Sequence, residues 1–196
     1  MTAESTAASH QGVRSRNQHQ RRRRIVQAAA ALASRGGVEA MQMRTVAERA
    51  GVALGTLYRY FPSKMDLVVA VVSEEMDTLE GSLDRRPPRS ATADGRAVEV
   101  LMRATRGLMR EPELADALIR SLLLSDVKTD FGDRMTGLLA RVTSAGAEEE
   151  DEHRILLRSL SSVWVMEMLE VLRGHTTNED IQARLEVAAA RLLADL

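Results

Sequence analysis

The segment Thr45–Lys64 constrains the fold of this chain more than any other part of its sequence. It predicts a helix, a tight turn and a short second helix, followed by the capped start of a third. Ala47 is small enough to let the two helices approach each other, and Gly51 can adopt the positive φ that the turn requires. Leu57 is expected to bury the inner face of the short helix. This spacing is typical of a helix-turn-helix unit.

Local signals mark the ends of the same unit. Thr45 followed by Glu48 predicts a capping box on its first helix, and Ser63 followed by Asp66 predicts one on the helix after the unit. Pro62 ends the short helix, because the residue before a proline is disfavoured in the α region. Capping boxes occur in every kind of helical protein, so an ordinary helical hairpin is the alternative. The coincidence of all these signals favours the helix-turn-helix.

Three stretches of the sequence resemble the DNA-binding domain of TetR-family transcriptional regulators. They are Arg24-Ile-Val-Gln-Ala-Ala, Met43-Arg-Thr-Val-Ala-Glu-Arg-Ala-Gly-Val and Gly55-Thr-Leu-Tyr-Arg-Tyr-Phe-Pro-Ser-Lys64. A narrower likeness, to the KstR-type regulators of sterol catabolism in actinobacteria, rests on residues 42–47, residues 55–64 and Ser162-Val-Trp164. The resemblance implies an all-α fold of about nine helices. It also implies a ligand-responsive repressor that binds palindromic operator DNA as a dimer and is not an enzyme.

The distribution of charge agrees with a nucleic-acid partner. The whole chain carries a net charge of −1, but residues 1–64 hold eleven Lys/Arg and three acidic residues. That end is therefore at +8, and the remainder is at −9. A basic end beside an acidic body is expected of a protein that docks one end on a polyanion. A basic N-terminus can also be a solvated tail, but here it directly precedes the helix-turn-helix.

Periodicity and breakers divide the chain into three parts. Residues 1–16 are aperiodic and are predicted to form a disordered arm, residues 17–67 the helix-turn-helix DNA-binding domain, and residues 68–196 a helical ligand-binding and dimerisation domain. Glycines at 36 and 37 are expected to end the first helix. The predicted helices are 17–34, 46–50, 55–60, 64–83, 96–110, 112–125, 130–145, 149–173 and 178–194.

The short helix is the predicted recognition helix, because helix-turn-helix proteins lay this element in the major groove of DNA. Its polar and aromatic residues can reach base edges, thymine methyl groups or phosphates. Each of them also has an alternative role in packing or in solvent. The predicted DNA-binding residues are Arg44, Thr45, Gly55, Thr56, Tyr58, Arg59, Tyr60 and Lys64.

One recognition helix reads few bases, so a homodimer through the last two helices is expected. The apolar positions of those helices are the predicted interface: Leu156, Leu160, Val163, Ile181, Leu185 and Leu192. The alternative is that these faces pack only within one subunit.

The family resemblance implies an effector pocket between the body helices. The Met- and Leu-rich composition of the body suits a deformable apolar cavity, although ordinary core packing explains any one of these residues better. A small apolar effector is expected, either a steroid or an acyl-CoA-type metabolite. The predicted pocket residues are Met102, Thr105, Met109, Leu118, Arg120, Leu122, Met135, Leu139, Trp164 and Met168.

Other classes of function find little support. There is no cysteine, no glycine-rich phosphate loop and no nucleophile motif, so we expect no enzymatic activity and no cofactor. The acidic run before His153 could bind a metal, but an acidic start to a helix is the simpler interpretation, and no metal site is expected. No apolar stretch resembles a signal peptide or a membrane span, so a cytoplasmic protein without membrane contact is expected. A DNA-binding regulator or activator that needs no ligand remains the alternative.

Overall fold

The computed structural model describes the backbone of residues 3–124, 129–143 and 151–194, and the side chains from residue 16 onward in these ranges, except at 121, 122 and 124. Within these ranges it contains nine helices and no strand, which confirms the predicted all-α fold. They are α1 (Ala3–Ala40), α2 (Met43–Ala50), α3 (Leu54–Tyr60), α4 (Lys64–Arg85), α5 (Ala93–Leu108), α6 (Pro112–Leu124), α7 (Phe131–Thr143), α8 (Asp151–Leu172) and α9 (Asn178–Leu192).

The first helix differs from its prediction at the N-terminal end. It starts at Ala3, so the structure has helix where the sequence predicts a disordered arm over 1–16. The segment contains no proline, and extending a helix that already exists is far easier than nucleating one. The predicted glycine break is present, because Gly36 (φ −166°, ψ 31°) and Gly37 (φ 62°, ψ −165°) leave helical geometry.

One predicted capping box is wrong and the other is confirmed. α2 starts two residues before Thr45, after an extended Gln42 whose side chain makes no capping hydrogen bond. Thr45 is therefore inside the first turn and is exposed. At α4 the Ser63 hydroxyl accepts from the Asp66 N–H at 3.1 Å, and the Asp66 carboxylate accepts from the Ser63 N–H at 2.9 Å.

The other helix ends agree to within a few residues where the structure describes them. α5 starts three residues before its predicted start near 96, because Thr92 caps it by accepting from the Gly95 N–H. The predicted ends at 125, 145 and 149 lie outside the described residues.

Two apolar cores divide the molecule, and α4 belongs to both. The head is the unit formed by α1–α3 and α4 as far as Val72, and its core also takes Leu114 and Leu118 from α6. The body is the remainder, and its core begins on α4 at Met76. Phe131 packs against both cores. The predicted domain boundary at 67/68 stays a prediction. In the structure, α4 passes from the head core to the body core between Val72 and Met76.

In the part of the chain that is described, no helix is both long and apolar enough to cross a membrane.

Candidate nucleic-acid interface and effector cavity

The turn between α2 and α3 has the geometry that the sequence predicts. Gly51 lies in the left-handed region (φ 65°, ψ 42°). Its N–H donates to the Glu48 carbonyl at 3.1 Å, and the Val52 N–H donates to the Ala47 carbonyl at 3.0 Å. This pair of hydrogen bonds is a Schellman motif, which satisfies the last carbonyls of α2 and turns the chain into α3.

Burial on one side of the unit leaves the other side free for a ligand. Leu57 of α3 is completely buried, as is Val46 of α2. Gly55, Tyr58 and Arg59 are exposed, and helical geometry places them together on the face of α3 opposite Leu57. The Tyr58 side chain is 46% exposed, a large fraction for an aromatic residue. Such a face is available to the major groove.

The remaining predicted DNA-binding residues differ in how free they are. Arg44 and Thr45 are exposed in the first turn of α2, and Thr56 is half-buried. Tyr60 packs against the head core, and the Arg59 guanidinium lies 5.9 Å from its ring centroid. Lys64 Nζ lies 4.0 Å from a Glu39 carboxylate oxygen, an exposed pair too weak to prevent a phosphate contact. The contacts of all these residues with DNA stay predictions.

One residue of the basic run before the helix-turn-helix has a structural role that the sequence did not reveal. The Arg22 guanidinium lies 5.3 Å from the ring centroid of Phe61, which is only 3% exposed. This cation–π contact joins α1 to the end of α3. Arg23 and Arg24 are exposed and remain available for phosphate.

A cavity of about 690 Å³ opens in the body, which is a suitable size for a small-molecule ligand. Its walls come from α4, α5, α6, α7 and α8. The apolar part of the lining is Val72, Met76, Leu79, Ala104, Leu108, Leu118, Ile119, Phe131, Met135, Trp164 and Val165. The polar part is Glu75, Thr78, Ser82, Arg86, Arg103, Arg106 and Arg110.

Three predicted pocket residues line this cavity: Leu118, Met135 and Trp164. The Trp164 ring stacks on Phe131 with 6.3 Å between centroids and 22° between planes. Its indole N–H donates to the Thr105 hydroxyl at 2.9 Å. Thr105 is fully buried and does not line the cavity, so its role is to hold the tryptophan in the wall.

Most of the other predicted pocket residues do not line the cavity. Met102, Leu139 and Met168 are buried in the body core, and Met109 is half-buried against it. Arg120 is exposed, and its Nε is 2.7 Å from an Asp116 carboxylate oxygen. The side chain of Leu122 lies outside the described residues. The error has a simple cause: apolar periodicity shows which face of a helix is buried, but not whether that face borders atoms or empty space.

The sequence analysis missed the charged part of the lining. Arg103 donates to the backbone carbonyls of Ser82 and Arg86, which places its guanidinium at the C-terminal end of α4. Arg103, Arg106 and Arg110 recur at helical spacing, a signal that could have indicated a basic edge. Glu75 gave no such signal, because a glutamate on a long helix is usually a solvated residue.

Three of the predicted dimer contacts are wrong. Leu160, Ile181 and Leu185 are completely buried within this one chain, so they cannot contact a second copy. Leu156 and Leu192 are half-buried against the same core. Apolar periodicity on α8 and α9 indicated the face turned to the subunit's own core. Large apolar side chains remain exposed on the other side of these helices: Ile155, Val163, Met166 and Val187.

Within the described ranges, no group of three or more His, Asp or Glu side chains is arranged to hold a metal ion. Residues 148–150 of the acidic run lie outside those ranges.

Comparison with known proteins agrees with the fold and with the head. Residues 25–71 match the family model of bacterial regulatory proteins of the tetR family, and residues 91–192 match a tetracyclin repressor-like C-terminal domain. The class is therefore a helix-turn-helix transcriptional regulator, which is not an enzyme. The chain belongs to the TetR family.

Its relatives include three repressors named KstR. Identity is 37% over 181 residues with the one from Mycolicibacterium smegmatis, covering 90% of this chain and 88% of the relative. It is 36% over 183 residues for Mycobacterium tuberculosis, with 91% and 83% covered, and 38% over 183 residues for Rhodococcus jostii, with 91% and 85% covered. The chain is thus a KstR-like transcriptional repressor by similarity along nearly its whole length, which confirms the predicted subgroup.

Solved structures give the same result. A TetR transcriptional regulator from Rhodococcus sp. RHA1 matches with a TM-score of 0.77 at 32% identity, covering 92% of this chain and 99% of that one. The transcriptional repressor QsdR of R. erythropolis matches with a TM-score of 0.65 at 20% identity, covering 90% and 95%. The second likeness concerns the fold alone.

Proposed function

We propose that this protein binds palindromic operator DNA as a homodimer and is released from it by an apolar effector that carries an anionic group. The observation that carries the proposal is the cavity in the body, which combines an apolar wall with four arginines. A steroid acid or an acyl-CoA thioester has this chemistry. Because bacterial operator DNA lies in the cytoplasm, we expect the protein to act there.

DNA binding rests on the exposed face of α3 with the basic residues around it. The N-terminal part of a recognition helix meets base edges in the major groove, and flanking cations bind phosphates. Gly55, Tyr58 and Arg59 occupy that face, with Arg44 and Thr45 beside it on α2. The excess of eight positive charges over residues 1–64 supplies attraction to any duplex.

Dimerisation rests on the outer faces of α8 and α9. Ile155, Val163 and Met166 recur at helical spacing on α8, and Val187 lies on α9, each at least 36% exposed. A second copy related by a two-fold axis would cover these side chains and form a four-helix interface. The two heads would then read half-sites about 34–36 Å apart or a multiple of that distance.

The dimer has its own test. Met166→Glu buries a charge in the proposed interface, so the variant should sediment as a monomer at concentrations where the wild type is a dimer. Asn178→Asp adds the same charge at the exposed start of α9 and should leave the wild-type mass unchanged. A dimeric Met166→Glu protein would place the interface elsewhere.

Coupling between the cavity and the head rests on shared residues. Leu118 packs in the head core and lines the cavity, and Phe131 contacts both cores while stacking on Trp164. An effector that enters the cavity displaces these side chains and α4, which begins directly after the recognition helix. Release from DNA requires that the effector bind the displaced form more tightly than the DNA-competent form.

Fluorescence anisotropy on a labelled duplex from the gene's own upstream region tests the proposal. We expect saturable, sequence-dependent binding that weakens steeply with salt, and release by a steroid acid or an acyl-CoA thioester. Arg59→Ala should weaken specific binding and leave the ligand affinity of the body unchanged. Specific binding that no such compound releases would instead support a regulator or activator that needs no ligand.

A further inference from the structure

With one exception, the polar side chains of the cavity lining either donate hydrogen bonds to the protein backbone or are cationic. The Thr78 hydroxyl donates to the Glu74 carbonyl at 2.9 Å, and the Ser82 hydroxyl donates to the Leu79 carbonyl at 2.7 Å. Arg103 donates to two backbone carbonyls at the end of α4. The lining contains three further arginines and one acidic residue, Glu75.

The Glu75 carboxylate is the exception. It is partly buried on the cavity side of α4, and among the described residues no hydrogen bond or ion pair reaches it. Burial raises the pKa of Glu75 above its usual value, and the nearby carboxylates of Glu111 and Glu74 raise it further. A partly desolvated carboxylate that no protein group satisfies gains from a hydrogen-bond donor, so a ligand group that supplies one gains affinity there.

We propose that Glu75 binds a hydroxyl group of the effector and selects hydroxylated apolar ligands over their deoxy analogues. This inference rests on the proposed function, because it assigns a ligand contact inside the effector cavity. An ionised carboxylate only accepts hydrogen bonds, so the ligand must supply a donor. The lining carries four arginines against one glutamate, so its net positive charge disfavours an ammonium group, and Glu75 itself repels an anionic group. A neutral hydroxyl satisfies both restrictions.

The positions of the charges also orient the ligand. Glu75 and Arg86 are eleven residues apart along α4 and its C-terminal cap, which corresponds to about 16 Å along the helix axis. Arg103 lies beside Arg86. The hydroxyl therefore belongs near the middle of α4, and Arg86 and Arg103 can hold an anionic group at its C-terminal end. A rigid, elongated molecule with a hydroxyl at one end and a carboxylate at the other fits this arrangement.

Two bile acids provide a matched pair of probes. Lithocholic acid has one ring hydroxyl and a side-chain carboxylate, and 5β-cholanic acid is the same molecule without the hydroxyl. Trp164 is the chain's one tryptophan and lines the cavity, so quenching of its fluorescence reports binding directly. We expect the wild type to bind lithocholate about 10- to 100-fold more tightly than cholanate, the range for a hydrogen bond to a charged group.

Variants at Glu75 test whether this residue causes the preference. Glu75→Leu should bind both probes with equal affinity, because the acceptor is gone, and should bind cholanate more tightly than the wild type does. Glu75→Gln keeps a neutral acceptor and should retain a reduced preference. Glu74→Gln, one residue earlier and outside the lining, should behave as the wild type. A preference that survives in Glu75→Leu, or a wild type without preference, overturns the inference.

Operator binding separates this inference from the proposed function. If both probes release operator DNA equally well from the wild type, the effector cavity stands and the role of Glu75 fails. If the wild type binds operator DNA but neither probe quenches Trp164 or releases the DNA, the role of Glu75 and the proposed steroid-acid class of effector both fail.

Discussion

The head packs its apolar side chains into a core that two leucines of α6 complete, whereas the body leaves a cavity of about 690 Å³ beside its core. In the head, Val46 of α2 and Leu57 of α3 are completely buried, and the turn between the two helices is closed by two backbone hydrogen bonds. In the body, five helices surround a space whose walls carry five charged side chains.

The difference suits two tasks. Side chains that read bases must be held rigidly, which dense packing achieves. A sensor must change its packing when a small molecule arrives, and a cavity permits that change. The contrast predicts that mutations in either region can lower stability, but that only mutations in the head weaken DNA binding in the folded protein.

The largest expected effect is that of Leu57→Ala in the head. Removing a fully buried leucine should lower the free energy of unfolding by about 2–5 kcal/mol and strongly weaken operator binding, because α3 loses its anchor. Leu185→Ala in the body core should cost a similar amount in urea unfolding. Under conditions where both variants are folded, Leu185→Ala should keep most of its DNA affinity. Equal loss of DNA binding in both would remove the distinction between the regions.

A smaller effect is expected at the tryptophan in the cavity wall. Thr105→Val leaves the buried indole N–H of Trp164 without its acceptor, which should cost about 1–3 kcal/mol in urea unfolding and shift the Trp164 emission. Thr136→Val is the matched control, since that hydroxyl donates only to the Gly132 carbonyl within its own helix. If the two valine variants lose equal stability, the indole hydrogen bond is not what holds the wall.

Two capping boxes allow the same substitution in both regions. Ser63→Ala on α4 and Thr177→Ala on α9 each remove a cap and should each cost about 1 kcal/mol in thermal or urea unfolding. Only Ser63→Ala should also weaken operator binding, because the start of α4 follows the recognition helix directly. A DNA-binding defect in Thr177→Ala of the same size would show that the body transmits small losses of stability to the head.

The smallest expected effect is a pH dependence at the α9 cap. The Thr177 hydroxyl holds the pKa of Asp180 below its usual value of 3.8. The ionised cap therefore stabilises the folded state above that value, and this contribution is lost as the pH falls through the lower folded-state pKa. The melting temperatures of wild type and Thr177→Ala should converge in acid. A constant gap across the acid range would mean that the hydroxyl does not stabilise the ionised carboxylate.

Local signals in the sequence predicted most of the head. Gly51, Pro62 and Ser63 act through backbone conformations that depend on one or two neighbouring residues, so their effects could be anticipated without a structure. The exception was the start of α2. There α2 starts earlier than Thr45 and Glu48 suggested, and Met41, just before the helix, is completely buried in the core.

The sites in the body could not be predicted to the same degree. Met102, Leu139 and Met168 have the same apolar character as Leu118 and Met135, yet only the last two border the cavity. The choice of interface residues on α9 failed for the same reason, since Ile181 and Leu185 mark the inner face of α9 rather than its outer face. A periodic pattern identifies a buried face without identifying what it is buried against.

The sequence by itself determined that the chain is helical, that a helix-turn-helix follows a basic segment, and that the protein resembles TetR-family repressors. These properties depend on local backbone preferences, on charge and on a motif of contiguous residues. Only the tertiary structure decided which body residues border the cavity, that arginines and Glu75 share it, and which faces of α8 and α9 remain exposed. Those properties depend on how helices far apart in sequence pack together, because a cavity is the space that this packing leaves unfilled.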